Sequence, residues 1–257
     1  MERIGFKNYL KECVARKFFF ASLVIYVALC LASAIYWCVD FDLRNFLMCL
    51  AFILLIPMIF LVEYFVKIRL GELFTLGILF IAYGSILGSC FNLYSTVPVF
   101  DTILHGTSGI AFTAFGYCLV EKFFGKAESK KTFAGALTFG IFFSFSVALV
   151  WEFFEYGCTC LLGFDMMEDS IVKGINSYYL AGSHNEAVIL EDITRTIIEY
   201  GNGKTYVIEG YLDLGLIDTM HDCLICAVGS IVFALVVILG YFKIPKLNKI
   251  LIPQIKE

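Results

Sequence analysis

The sequence predicts an all-α fold: a polytopic membrane helix bundle with six transmembrane helices and a small extracellular β-hairpin in its last long loop. Three observations predict it. The chain is 60% hydrophobic and only 16% charged, with a mean hydropathy of +0.84, whereas a soluble domain is nearer half apolar and a quarter charged. Its apolar residues fall into six blocks, each near the roughly 20 residues that cross a bilayer. Its lysines and arginines gather in alternate connections, as the positive-inside rule requires.

The elements follow in order. Residues 1–17 form a cytoplasmic tail, and five transmembrane helices occupy 18–161. The first covers 18–38; its apolar stretch is too long for a cleaved signal peptide, and no small-x-small pattern follows it. The second covers 46–66, the third 73–94, the fourth 101–124 and the fifth 132–161. The fifth is long enough to tilt or to extend beyond the membrane. The sixth covers 218–242, and 243–257 form a second cytoplasmic tail. "GSILGS" in the third span sets Gly84 with Gly88 and Ser85 with Ser89 at a spacing of four, a close-packing pattern for membrane helices.

Charge fixes the expected orientation. Fifteen basic residues fall on one side: Arg3, Lys7, Lys11, Arg16, Lys17, Lys67, Arg69, Lys122, Lys126, Lys130, Lys131, Lys243, Lys246, Lys249 and Lys256. Four fall on the other: Arg44, Lys173, Arg195 and Lys204. Both termini are therefore expected in the cytoplasm. The net charge of −4 and pI near 5.5 give no support for nucleic-acid binding. The lipid bilayer is the expected partner, and nothing fixes an oligomeric state.

The long connection, 162–217, falls on the extracellular side. Near 193–210, "TIIEY" and "KTYVIE" flank Gly201-Asn202-Gly203. Asn-Gly between β-prone runs signals a hairpin. An isolated hairpin is marginal in water, so it is expected to rest on the outer mouth of the bundle, as a connector or as a lid.

The charged residues within the spans carry the chemistry. Asp101 and His105 are four apart at the outer end of the fourth span and share a helix face, which Gly109 extends. Glu152 and Glu155 are three apart in "WEFFEY", in the outer half of the fifth span. Asp218 and Asp222 open the sixth, with His221 beside them. Three helices thus bring five carboxylates and two imidazoles to one membrane level. No lysine or arginine occurs between 132 and 172 or between 205 and 242. One charge at mid-membrane costs about 2.5–3.5 kcal/mol on insertion scales. The cluster must therefore be protonated, hydrated or neutralised by a cation.

A mixed carboxylate and imidazole set suits a divalent metal ion, zinc or another first-row ion. Asp101, His105, Glu152, Glu155, Asp218, His221 and Asp222 are the expected ligands, and Glu152 or Glu155 the general base. Plainer readings stand beside these. Asp101 and Asp218 have the form of helix N-caps, and Asp222 that of a first-turn dipole acid. His105 could be a satisfied buried histidine, and His221 could point to the headgroups. The glutamates lie in the C-terminal half of their helix, where the dipole disfavours anions. Glu63 and Glu121 sit near cytoplasmic ends and are expected to snorkel. The ten cysteines read as packing residues, although an outer disulfide such as Cys158 to Cys223 stays open.

"DTILHGTSG", "WEFFEY" and "DTMHDCLICAVGS", in that order, resemble the YjdF-type family of bacterial inner-membrane proteins over spans three to six. That family shows Asp-x-x-x-His at a span start, Trp-Glu-x-x-Glu in the next span and Asp-x-x-x-Asp opening the last. More distantly the order is similar to VanZ-like proteins, with Asp222 where those have asparagine. The resemblance implies a multi-pass protein of the bacterial plasma membrane and a single site built from Asp101, His105, Glu152, Glu155, Asp218 and Asp222. It implies no particular reaction.

Three functions compete. The first is a metal site in the outer leaflet acting on a lipid-linked or envelope substrate. The second is a proton- or cation-coupled transporter, for which Thr107, Ser108, Thr113, Ser144 and Ser146 give a thin inward trail. The third is a non-catalytic structural or partner-binding protein. A lipid phosphatase would be expected to carry phosphate-binding arginines, and spans four to six have none.

Overall fold

The computed structural model describes residues 5–255, so the basic residues Arg3 and Lys256 lie outside the described residues. Six helices are long and apolar enough to cross a membrane: Lys17–Val39, Leu43–Val66, Glu72–Cys90, Phe100–Phe124, Lys130–Leu162 and Leu216–Phe242. The fold is the expected six-span bundle, with small antiparallel strand pairs. The chain divides into two compact units, residues 1–149 with 223–257, and residues 150–222. The division falls inside the fifth and sixth spans.

The first unit begins with α1 (Phe6–Ala15) and α2 (Lys17–Val39). Much of the expected N-terminal tail is therefore a helix, with Tyr9 and Cys13 buried. The second span is interrupted. It consists of α3 (Leu43–Phe52), α4 (Leu55–Leu61) and a π-helical turn, Val62–Val66. Pro57 explains the break, because it has no N–H to offer the carbonyl of Ile53 and its ring crowds that carbonyl. The chain responds with tight three-residue bonds, Ile53 N to the Leu50 carbonyl and Leu54 N to that of Ala51, at 3.1 and 3.0 Å.

β1 (Ile68–Arg69) follows, then α5 (Glu72–Cys90), α6 (Leu93–Thr96), α7 (Phe100–Phe124) and the start of α8 (Lys130–Gly157). Phe19, Cys30, Cys49, Ile86, Cys118 and Val237 are all fully buried in this unit's core. Phe18, Ile25, Leu54, Phe123, Phe142 and Val228 are exposed apolar side chains, as lipid-facing surface requires. On the Gly-Ser pattern of α5, a Cβ on Gly84 would strike the Leu104 side chain, and one on Gly88 the Tyr94 ring. Small residues there admit large side chains.

Glu63 departs from the expectation. It does not snorkel to the membrane surface; it is fully buried. Arg16 Nη1 donates to both of its oxygens at 2.8 and 3.0 Å. Tyr9 Oη and the Leu70 N–H donate to it at 2.9 and 2.7 Å. Arg16 also donates to the Leu70 carbonyl, and its guanidinium lies 3.8 Å from the Phe19 ring centroid. Burial, then the hydrogen bond with Cys13 and the charge of Glu63, hold the Tyr9 phenol well above its ordinary value, so it stays a donor. Glu121, half-buried near the end of α7, accepts from the Ala127 N–H at 3.0 Å across the following turn.

The second unit holds the end of α8, a π-helical turn (Cys158–Leu162), and five short elements: β2 (Ser170–Val172), β3 (Ile175–Ser177), α9 (Tyr178–Ala181), β4 (Val188–Leu190) and β5 (Thr196–Tyr200). β6 (Lys204–Ile208), β7 (Tyr211–Asp213) and the start of α10 (Leu216–Phe242) complete it. β5 and β6 form the expected hairpin, pairing Thr196 with Ile208 through to Tyr200 with Lys204. Its turn, Gly201-Asn202-Gly203, has φ of +57° and +75° at the two glycines, values that L side chains adopt only with strain. Two pairs not anticipated accompany it, β2 with β7 and β3 with β4.

After α10, which ends in the first unit, come α11 (Pro245–Leu251) and β8 (Gln254–Ile255), which pairs with β1. Much of the expected C-terminal tail is thus structured. None of the ten cysteines forms a disulfide, Cys158 and Cys223 included.

Candidate functional site

In the first unit, α7 presents Asp101 and His105 one turn apart. Their side chains meet at 3.5 Å, Nε2 to Oδ1, and both are partly buried. Asp101 is not a cap: the N-cap position is Val99, which makes no side-chain cap bond, and Asp101 lies in the first turn. Below this pair α7, α8 and α10 pack backbone to backbone. A Cβ on Gly109 would strike the Cys226 carbonyl, and one on Gly229 the Gly106 carbonyl. Ser144 and Ser230 fill the junction. Ser230 Oγ donates to Ser144 Oγ at 3.1 Å, and Ser144 Oγ donates to the Gly109 carbonyl at 3.2 Å. These hydroxyls close helix packing, and the same bonds occupy the serine that the transport reading draws on.

In the second unit, Glu152 and Glu155 lie one turn apart near the end of α8, and Asp222 lies in the second turn of α10. All three are buried, at 4%, 8% and 2% exposure. One oxygen from each lies within 4.8 Å of the others. The Trp151 indole N–H donates to Glu155 Oε1 at 2.8 Å, which fixes that carboxylate. His221 Nδ1 is 3.7 Å from Asp222 Oδ1, but its side chain is half exposed.

Asp218 is half-buried. Its Oδ2 accepts from the Glu168 backbone N–H at 3.1 Å and ties the long loop to α10. Asp213 does the capping expected of Asp218, accepting from the Ile217 N–H at 2.8 Å. The sequence signal for it was the Asp-x-x-x pattern just before the apolar run, displaced by one turn. Of the seven expected ligands, the second unit thus gathers Glu152, Glu155 and Asp222, with His221 beside Asp222 and Asp218 bonded to the loop. Asp101 and His105 form a pair in the first unit.

Three ionised carboxylates this close repel one another strongly away from water. No lysine or arginine occurs between 132 and 172 or between 205 and 242 to offset them from the same helices. The arrangement therefore calls for protons, an imidazolium or a cation.

The loop has its own acidic group. Desolvation, then Asp165 and Asp213, raise the Asp169 carboxyl above its ordinary value. A raised folded-state value means the protonated form favours the fold. That contribution is complete below the unfolded value and is lost as pH rises through the folded one. The β2–β7 amides are therefore expected to gain hydrogen-exchange protection, after correction for intrinsic rates, as pH falls from neutral into the carboxylate range. Asp169→Asn should flatten this dependence; an unchanged profile would show that Asp169 plays no part in it.

Six apolar helices of bilayer length, three of them carrying buried carboxylates, define a multi-pass membrane protein. The chain belongs to the family of predicted membrane proteins DUF2238, whose profile matches residues 21–243. No curated protein and no solved structure matches it.

Proposed function

We propose that Glu152, Glu155 and Asp222 hold a divalent cation on the exoplasmic side of a bacterial plasma membrane, with both termini cytoplasmic. The metal would act on a lipid-linked or envelope substrate. One observation carries the reading: three carboxylates, all more than nine-tenths buried, offer oxygens within 4.8 Å of one another. Opposite ligands of an octahedral ion with bonds near 2.1 Å stand about 4.2 Å apart, and those of calcium about 5 Å. The triad is thus sized for a cation with little rearrangement. Carboxylate oxygens suit manganese or magnesium, and an imidazole at the margin would extend the set to zinc.

A bound cation would polarise a phosphoryl or carbonyl oxygen, or lower the pKa of a bound water. Glu155, already oriented by Trp151, is suited to hold a ligand position, and Glu152 can bind through one oxygen and accept a proton on the other. Asp101 and His105 enter as further ligands on the sequence reading alone. The order of the three motifs, which resembles the YjdF-type family, supports treating them as one set.

The test is elemental analysis of the purified protein beside Glu152→Gln and Asp222→Asn. Removing a group that only orients a ligand already weakens metal sites by about 10–100-fold, so each variant, which removes a ligand oxygen, should lose its metal while keeping its helical circular dichroism. No metal in the parent protein, even after incubation with manganese, magnesium, calcium and zinc, overturns the reading in favour of protonated acids. Metal retained in both variants overturns the assignment of ligands. Metal bound without turnover of envelope lipids would make the ion structural.

A further inference from the structure

We propose that the β5–β6 hairpin docks on the bilayer itself, laying one face into the headgroup zone beside the spans that bracket it. This inference is independent of the metal site.

The hairpin consists of five cross-strand pairs, and among the described residues it joins no third strand. Two-stranded hairpins of this size are marginal in water without a surface to rest on. Its base is fastened. Thr196 Oγ1 donates to the Gly210 carbonyl at 2.6 Å, Ile193 N–H to the Lys173 carbonyl at 2.8 Å, and Ile208 is buried. Beyond the base everything is exposed, including large apolar side chains.

The two faces differ in chemistry. Strand alternation places Ile198, Tyr200, Lys204 and Tyr206 on one face and Ile197, Glu199, Thr205 and Val207 on the other. Ile198 opposes Tyr206, and Tyr200 opposes Lys204. Tyr200 and Tyr206 are 51% and 63% exposed. Tyrosines with a polar tip and an apolar ring are the residues of membrane interfaces. A lysine beside them can lay its stem along the rings and its ammonium among phosphates. The opposite face carries Glu199, which phosphates would repel.

Reach permits the contact. Seven residues lie between Ile208 and Leu216, where α10 begins, a connection of at most about 28 Å. The bilayer interface around that span is thus within range of the tyrosine face. Tyr156, Tyr178, Tyr179 and Tyr211 of the same unit are exposed as well.

The test uses the full-length protein reconstituted in phosphatidylcholine vesicles, plain or brominated near the headgroup end of the acyl chain. Tyr206→Trp adds one reporter to the emission of Trp37 and Trp151, which the parent protein supplies as background. Brominated lipid should quench the added emission, because an interfacial tryptophan ring sits at the headgroup level, and iodide in the medium should quench it weakly. Ile197→Trp, on the opposite face, should be quenched by iodide and little by bromine. If the Tyr206→Trp reporter is quenched by iodide and not by bromine, the hairpin stands in water and the proposal fails. If neither quenches it, protein covers that face and the proposal also fails. Equal bromine quenching at both positions would overturn the assignment of the face.

Discussion

Arg16→Ala is expected to destabilise the first unit by about 3–5 kcal/mol, the usual consequence of removing one partner of a buried ion pair. Three groups converge on Glu63: Tyr9 from α1 and Arg16 from the junction of α1 and α2, both far away in sequence, and the Leu70 N–H from the loop after the second span. Without the guanidinium, a fully buried carboxylate keeps only neutral donors and must be protonated or hydrated. Glu63→Gln should cost less, because an amide is neutral and can keep part of the hydrogen bonding. The double variant should be more stable than the sum of the single losses predicts, since both remove one interaction. Thermal or detergent-induced unfolding in mild micelles measures each effect. A loss under about 1 kcal/mol for Arg16→Ala, the range of exposed pairs, would mean that water reaches Glu63.

Gly109→Ala should cost about 1–3 kcal/mol, the usual range for overpacking, and Gly109→Leu should leave no folded protein. The atom a Cβ would strike at Gly109 is the Cys226 carbonyl. A backbone atom in a helix cannot rotate aside as a side chain does, so α7 and α10 would have to part. Parting them would also stretch the bonds that Ser144 and Ser230 make at the same junction. Gly77→Ala and Gly135→Ala are the controls. A Cβ at either position meets nothing within 4 Å, and alanine raises helix propensity by up to about 1 kcal/mol. They should be neutral or stabilising. If Gly109→Ala behaves as the controls do, the close approach of α7 and α10 does not hold the fold together.

By itself the sequence determined the six spans and the hairpin. Both are local: a span is a continuous apolar block of bilayer length, and the hairpin is two β-prone runs around Gly201-Asn202-Gly203, whose pairing needs no distant residue. The one-turn pairings of Asp101 with His105 and of Glu152 with Glu155 were legible for the same reason, since helix periodicity sets them. Pro57 could have announced the break in the second span, but an apolar run hides an interruption that leaves its hydropathy unchanged.

Tertiary structure alone decided the rest. Glu63 and Arg16 are 47 residues apart, and charge counting treats each as a separate group near the membrane surface. Only the folded chain shows that one neutralises the other. Asp218 had the form of a cap until α10 began at Leu216 and gave that task to Asp213. The gathering of Glu152 and Glu155 with Asp222 depends on how α8 is rotated against the start of α10, and so does the choice of Asp222 over Asp218. Hydropathy fixes which segments lie in the membrane. Their rotation about their own axes is set by small residues, hydrogen bonds and buried charges that act between segments far apart in the chain.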